Sequence, residues 1–176
     1  MIQTARLVIR APIAADFETF WRMNNDPDVK RYTGGVTALS RETVLAQHEE
    51  SCRSFDTADA ADCIFSVEER STGRCIGYSG FEYSKRLGAV ELAYGLEKSA
   101  WGHGYASEAA EAVLRYGFDT LRLDVVTAAV NPENAASERI LIKLRLRKTG
   151  QLPWPGQGLV DRYETVSYTH LTLPTN

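Results

Sequence analysis

The apolar positions in the first third of the chain repeat mostly at helical spacing. Leu7–Ile9 is the exception, a short apolar run between two arginines that predicts a strand. Apolar residues recur at the spacing of an amphipathic helix from Ala14 to Asn25. Asp26-Pro27 predicts the N-cap and first residue of a short second helix, and Ser40 predicts the N-cap of a third helix that reaches about Phe55.

The middle of the chain changes to the periodicity of strands. Ile64–Glu68, Cys75–Tyr83 and Ala89–Leu96 are apolar-rich segments of strand length. Ser71-Thr72-Gly73, between the first two, is typical of a turn. Strands in this order, joined by short connections, predict an antiparallel meander.

The last third alternates helices and strands. Ala106–Asp119 has small apolar residues on one face and charged residues on the other, which predicts an amphipathic helix. Asp124–Val130 is a nearly continuous apolar run, typical of a strand that is covered on both faces. Ala135–Leu144 predicts another helix, and the chain returns to strand from Leu146. The order predicts an α/β (α+β) fold of one domain, with a mixed, mostly antiparallel sheet and helices on both faces.

Composition and charge narrow the possible functions. The chain has 176 residues, 44% of them apolar, which suits one soluble domain. A net charge of −3 with scattered basic residues argues against a nucleic-acid partner. No apolar run resembles a signal peptide or could span a bilayer, so we expect a cytoplasmic protein with no membrane partner. Cys52, Cys63 and Cys75 have neither disulfide nor zinc spacing, and we expect buried thiols and no metal.

A glycine pair between a strand and a helix is the first chemical signal. Gly102 and Gly104 precede the helix that opens at about Tyr105. Glycine lets the backbone approach a ligand, and the free N–H groups of a first helical turn attract anions. The residues alone leave two interpretations open, a phosphate site or a plain connection that uses glycine to turn. A dinucleotide-binding loop is a third, although Ser107 stands where its fingerprint needs glycine or alanine.

Several segments together resemble a known family. They are similar to the motifs of the GNAT N-acetyltransferases, especially the RimJ/RimL branch that modifies the N-termini of ribosomal proteins. The family's cofactor motif, Arg/Gln-x-x-Gly-x-Gly/Ala, has Trp101 at its first position, Gly104 at its fourth and Ala106 at its sixth. The segments that carry the resemblance are Thr4–Arg10, Asp28–Gly35, Tyr94–Leu96, Trp101–Ala109, Val130–Ser137 and Leu141–Leu144.

The resemblance implies acetyl-CoA as the cosubstrate. It places the diphosphate on main-chain N–H groups of the cofactor loop, which consists of Trp101, Gly102, His103, Gly104, Tyr105 and Ala106. His103 either adds partial charge near the phosphates or is a plain exposed residue, and Trp101 either covers the cofactor or anchors the loop. The strand that ends at Leu96 is expected to splay from its neighbour and to pair with the pantetheine arm. The Leu96 N–H is expected to stabilise the oxyanion.

Three side chains are implied in the chemistry. Glu91 lies on the strand face that carries small residues, so it is either the base that takes the proton of the attacking amine or an exposed edge carboxylate. By resemblance, Asn134 contacts the cofactor arm and Ser137 hydrogen-bonds the departing sulfur. Asn134 is equally placed to cap the helix at Ala135. We expect direct attack by a primary amine in a ternary complex, without a covalent enzyme intermediate.

Arg145 and the suspect C-terminal tail support a second hypothesis, a cofactor-binding pseudoenzyme, and the family pattern is broken at two positions. Arg145 replaces the glycine that usually follows the helix, so it must adopt an unfavourable conformation or the helix must end differently. Leu141 stands where many members of the superfamily carry a tyrosine acid.

The end of the chain predicts a boundary between residues 1–165, the acetyltransferase domain, and residues 166–176. The latter resemble translated sequencing adapter, in which case the native C-terminus is missing and the final strand combines Arg162–Ser167 with foreign sequence. The acceptor is expected to be a protein N-terminal α-amine or a small-molecule amine, selected by the first helices and by loops at residues 34–40 and 152–160. The oligomeric state is open between monomer and homodimer.

Overall fold

The computed structural model describes residues 1–36, 38–55 and 62–166. Within these ranges the chain forms five α-helices, α1 (Phe17–Asn25), α2 (Pro27–Lys30), α3 (Arg41–Ser54), α4 (Tyr105–Asp119) and α5 (Ala135–Lys143). It also forms eight strands, β1 (Ile2–Gln3), β2 (Leu7–Arg10), β3 (Cys63–Glu69), β4 (Arg74–Ser84), β5 (Ala89–Leu96), β6 (Val125–Val130), β7 (Arg147–Trp154) and β8 (Gly158–Val166).

All eight strands belong to one sheet, in the order β1-β2-β3-β4-β5-β6-β8-β7. Every neighbouring pair is antiparallel except β5 and β6, which are parallel. A parallel pair needs a long crossover, and α4 supplies it. The predicted fold class is therefore confirmed, and the one parallel pair lies at the centre of the sheet.

The helix starts that the sequence predicts are present. Asp26 accepts hydrogen bonds from the backbone N–H groups of Asp28 (2.9 Å) and Val29 (3.4 Å). Ser40 Oγ accepts one from the N–H of Thr43 (3.2 Å). Each cap satisfies donors that the first helical turn leaves free.

The crossover helix α4 packs on β4, the strand that precedes the parallel pair β5 and β6. Ala110, Val113 and Leu114 on its inner face are completely buried. A β-carbon at Gly117 would lie 2.5 Å from the ring of Phe81 on β4, so only glycine allows this close approach. The packing fixes the N-terminus of α4 beside the end of β5.

The sequence predicts a strand from Leu146, a loop at residues 152–160 and a final strand that includes Arg162–Ser167, and the structure differs in the extent of the loop. Residues 152–160 form the ends of β7 and β8 and a turn in which Gly156 and Gly158 have positive φ. β8 lies between β6 and β7. Most of its residues alternate between buried and partly buried positions, as expected of a strand inside a sheet. Val166 pairs with Val125, and the remaining residues of the suspected tail, 167–176, lie outside the described residues.

Candidate active site

The two parallel strands separate soon after they meet. Among the described residues, β5 and β6 pair at one position, Glu91 opposite Thr127. β5 stays paired with β4 from Ala89 to Leu96. The predicted splay is therefore present, and it opens a gap in the middle of the sheet.

The register of β5 directs unpaired backbone groups into that gap. Glu97 N donates to Ile76 O (2.9 Å), which makes this a hydrogen-bonded position of the β4–β5 ladder. Antiparallel ladders alternate, so the N–H and C=O groups of Tyr94 and Leu96 point away from β4. The Leu96 C=O already accepts a hydrogen bond from Trp101 Nε1, and the other three groups can serve an extended ligand as a neighbouring strand would.

A cleft of about 510 Å³ runs from this gap to the start of α4. Its walls come from the α1–α2 region, the end of β5, the cofactor loop and the start of α5. The residues at its two ends include Tyr32, Tyr94, Ser137, Trp101, Gly104 and Ser107.

The start of α4 is built to bind an anion. Gly104 is the N-cap with φ 78°, and the first i to i−4 bond is Glu108 N to Gly104 O (3.1 Å). The N–H groups of residues 105–107 thus have no acceptor within the helix, and the helix dipole adds positive potential. Ser107 Oγ is buried without a hydrogen-bond partner among the described residues. These groups fit a diphosphate.

A group of hydrogen bonds that the sequence analysis did not predict holds the start of α4 in place. Glu108 accepts hydrogen bonds from Thr4 Oγ1 (2.6 Å), Arg6 N (3.0 Å) and Arg6 Nε (2.7 Å). Arg6 Nη1 also donates to His103 O (2.8 Å). A carboxylate one helical turn from a phosphate site repels the phosphate unless a basic side chain neutralises it. Glu108 in that position was therefore the signal in the sequence that could have predicted a basic partner.

The two uncertain residues of the cofactor loop are now placed. Trp101 Nε1 donates to Leu96 O (2.9 Å), so the indole anchors the loop to the end of β5. The ring is also 44% exposed and lines the cleft, so it can contact a ligand as well. The imidazole of His103 is exposed and stacks on Tyr105, with centroids 5.5 Å apart.

A second cavity, the acceptor pocket, has about 310 Å³ and lies on the other side of the gap. It shares six wall residues with the cleft, so the two cavities meet. The shared residues are Tyr32, Thr33, Tyr78, Tyr94, Asn134 and Ser137. A ligand that follows the gap from α4 would reach the pocket at this junction.

Glu91 faces the acceptor pocket. Its Oε1 accepts a hydrogen bond from Ala129 N on β6 (3.1 Å), which fixes the carboxyl group at the gap. Burial raises the pKa of Glu91, the Ala129 hydrogen bond opposes that shift, and the nearby Glu82 reinforces it. A carboxyl group with a raised pKa in a pocket is suited to accept a proton.

Ser137 and Asn134 lie at the junction of the two cavities. Asn134 Oδ1 accepts a hydrogen bond from Ser137 N (3.2 Å), so Asn134 does cap α5. Tyr94, which the sequence analysis left out of the chemistry, has its hydroxyl 2.8 Å from Ser137 Oγ and donates to Ser137 O (3.3 Å). Burial raises the pKa of Tyr94 to about 12, so its phenol stays protonated at neutral pH.

The two departures from the family pattern have structural consequences. Leu141 is only 1% exposed and forms part of the core beside the acceptor pocket. Arg145 has φ 63°, and the bonds Arg145 N to Ile142 O and Leu146 N to Leu141 O (both 2.9 Å) form a Schellman motif. The prediction that Arg145 adopts an unfavourable conformation is confirmed.

The cysteines are remote from both cavities. Cys63 and Cys75 are buried and Cys52 is half-buried, and burial raises the pKa of each thiol. None of the three lines either cavity. In the part of the chain that the structure describes, no cluster of three or more His, Cys, Asp and Glu side chains could hold a metal ion. No helix there is long and apolar enough to cross a membrane.

A helix start with free N–H groups, joined through a strand gap to a carboxyl-lined pocket, suits an acyltransferase that uses a coenzyme A thioester. The family model described as acetyltransferase (GNAT) domain matches residues 6–147. The chain therefore belongs to the GNAT acetyltransferase family, and it is an N-acetyltransferase.

Individual relatives agree with this assignment. The uncharacterized N-acetyltransferase p20 of Bacillus licheniformis is 30% identical over 152 residues, which cover 86% of this chain and 84% of that protein. A GNAT-family acetyltransferase from Bacillus anthracis is 25% identical, with 95% and 98% of the two chains covered and a TM-score of 0.79. The spermidine N-acetyltransferase of Vibrio cholerae, solved with CoA and spermine, shares the fold at 19% identity, with 96% and 100% covered and a TM-score of 0.79.

Proposed function

We propose that this enzyme transfers the acetyl group of acetyl-CoA to a primary amine by direct attack in a ternary complex. The observation that carries the proposal is the gap between β5 and β6. It joins the anion-binding start of α4 to a pocket that contains a buried carboxyl group. Acetyl-CoA supplies the activated acetyl group, and the residues of the chain bind it, orient it and move protons.

The cofactor loop binds the diphosphate and β5 binds the pantetheine arm. The N–H groups of residues 105–107 hold the phosphate oxygens, and Gly102 and Gly104 allow the close approach. The N–H and C=O groups of Tyr94 pair with the amides of the arm, and Trp101, held by its hydrogen bond to Leu96 O, covers it. Negative charge that develops on the carbonyl oxygen is stabilised by the Leu96 N–H.

Glu91 accepts the proton that the attacking amine releases. Its carboxyl group lies at the pocket side of the gap and is held by Ala129 N. A raised pKa makes its carboxylate a stronger base than that of an ordinary glutamate.

Ser137 hydrogen-bonds the departing sulfur, and Tyr94 orients Ser137. A thiol has a pKa of about 8.5, so the sulfur leaves without a strong acid. The hydroxyl of Tyr94 holds Ser137 Oγ at 2.8 Å and remains a donor at neutral pH. Tyr94 and Ser137 lie at the junction of the two cavities. Leu141 cannot act as an acid there, because leucine has no proton to give.

The acceptor is proposed to be a protein N-terminal α-amine or a small-molecule amine. An α-amine, with a pKa of about 8, is neutral far more often at neutral pH than a lysine, with a pKa of about 10.4. A single carboxylate base therefore favours amines of low pKa. The motif resemblance supports the RimJ/RimL branch, whereas the likeness to the Vibrio cholerae enzyme supports the fold alone.

Thermal unfolding with and without acetyl-CoA, followed by a thiol-release assay over peptides and small amines, tests the proposal. At 100 times its dissociation constant, acetyl-CoA should stabilise the fold by about 2.7 kcal/mol. NAD at the same concentration should give no shift and is the control. Stabilisation without turnover of any amine would favour the pseudoenzyme, and the absence of stabilisation would exclude both.

A further inference from the structure

The acceptor pocket contains two carboxyl groups that no basic side chain balances. Glu82 and Glu91 are register partners on β4 and β5. Their side chains therefore lie on the same face of the sheet, with β-carbons about 5 Å apart. Among the described residues neither forms an ion pair, and those that line the pocket include no lysine, arginine or histidine.

The charges around the pocket mouth reinforce this imbalance. Burial raises the pKa of Glu82, and the negative charge of Asp62 raises it further. Arg86 lies outside the pocket, with its guanidinium carbon 5.4 Å from the ring centroid of Trp154. The described pocket thus has a negative potential that its own side chains do not cancel.

Tyr78 adds a phenol to the acceptor pocket. Tyr78 lies where the pocket meets the cleft, and burial raises the pKa of its phenol. Tyr32 adds an aromatic face to the wall, and such faces attract cations, whereas the ring of Trp154 already has Arg86 beside it.

We infer that the acceptor is a small dication, a primary amine that carries a second ammonium or guanidinium group a few bonds away. The inference rests on the proposed acetyl transfer. Glu82 binds the second cationic group at the pocket mouth, while Glu91 faces the nitrogen that reacts. An amine with a carboxylate in the second position is repelled.

Glu82 and Glu91 are sufficient to bind such an acceptor and to take up the proton that it releases. The nitrogen forms a bond to the carbonyl carbon, the carbon–sulfur bond breaks, and the sulfur leaves with the electron pair. The proton of the nitrogen goes to Glu91. A neighbouring cation lowers the pKa of the reacting amine by like-charge repulsion, so a dication supplies neutral amine more readily than a simple alkylamine does.

The selectivity test uses diaminobutane, pentylamine and aminopentanoate, which share a four-carbon chain and differ only in the far group. We expect kcat/KM to be about tenfold or more higher for diaminobutane than for pentylamine, and lowest for aminopentanoate. Glu82→Gln should remove most of the diamine preference, and Glu82→Lys should shift it toward aminopentanoate. Glu111→Gln, on the exposed face of α4, is the matched control and should keep the wild-type ranking. Equal values for the three acceptors, or a preference that survives Glu82→Gln, would overturn the inference.

A binding measurement separates this inference from the proposed function. Diaminobutane is titrated calorimetrically into the wild-type protein saturated with CoA, and the titration is repeated with Glu82→Gln. Binding that depends on Glu82, without turnover of any amine, would support the dication site and refute the transfer. Turnover of pentylamine or peptides without a diamine preference would support the transfer and refute the dication site.

Discussion

Four influences act on the carboxyl group of Glu91, the weakest of them a hydrogen bond with Ser84 that stabilises the carboxylate. Burial destabilises the carboxylate, the N–H of Ala129 stabilises it, and Glu82 destabilises it further. The outcome is a raised pKa at a position that the sequence marks only as a glutamate among small residues. The environment of this side chain, and not its identity, makes it suited to act as a base.

Glu91→Gln should lower kcat/KM by about 100-fold or more, because general base catalysis contributes that much. In the wild type, activity should rise with pH through the raised pKa of Glu91, and this limb should disappear in the variant. Steady-state rates across pH measure both effects. Retention of the limb in Glu91→Gln would assign the base elsewhere.

The stability of Glu91→Gln distinguishes lost chemistry from lost folding. A carboxyl group whose pKa is raised by folding contributes stability at low pH and loses it as pH rises through the folded pKa. Glutamine removes this loss and can still accept the Ala129 hydrogen bond. Thermal unfolding at neutral pH should therefore show equal or higher stability, and a clear decrease would mean that the residue is structural.

Tyr94→Phe should lower kcat with little change in the KM for acetyl-CoA, because the variant loses only the hydroxyl that orients Ser137. Ser137→Ala should have a similar effect, and the double variant should be no worse than the more damaged single variant, since both act on one hydrogen bond. Tyr116→Phe, a half-buried tyrosine outside both cavities, is the control. Additive losses would show that Tyr94 and Ser137 act independently.

At the scale of elements, the ends of α5 illustrate two ways in which a helix is terminated. Asn134 caps the start with a hydrogen bond that the residue type favours. Arg145 ends the helix in a left-handed conformation that its residue type disfavours. The Schellman bonds and the buried position of Leu146 keep Arg145 there.

Arg145→Gly should increase the free energy of unfolding by about 1 kcal/mol, because glycine adopts positive φ without strain. The melting temperature should rise by roughly 2–4 °C for a chain of this size. Arg139→Gly, in the interior of the same helix, should instead destabilise by about 1 kcal/mol. A decrease for Arg145→Gly would mean that the arginine side chain makes a compensating contribution.

At the scale of the whole molecule, the order of strands creates the site. β8 follows β7 in sequence, yet it is β8 that pairs with β6. This arrangement holds β6 from its far side and leaves its near side free to separate from β5 beyond Glu91. The last described pair, Val166 with Val125, completes that support.

Deletion of residues 167–176 should leave the melting temperature nearly unchanged. It should also leave kcat/KM within a factor of about two of the value for the full chain. The reason is that these residues resemble no family strand, whereas β8 already pairs with β6 along its length through Val166. Unfolding curves and thiol release on the two forms measure this. A large loss would show that the tail is part of the fold and would refute its foreign origin.

The sequence by itself determined the helices, the meander, the glycine cap of α4 and the family, because these depend on local periodicity, on residues with special backbone freedom and on contiguous motifs. It also marked Glu91, Asn134 and Ser137 by position. Only the tertiary structure decided that Arg6 binds Glu108 at the start of α4 and that Tyr94 contacts Ser137. The residues of the first pair are 102 positions apart in sequence and those of the second pair 43. The same holds for the unbalanced pair Glu82 and Glu91, which lie opposite each other only because β4 and β5 pair in one register. Local pattern fixes which elements form, whereas distances between remote side chains exist only after the sheet has assembled.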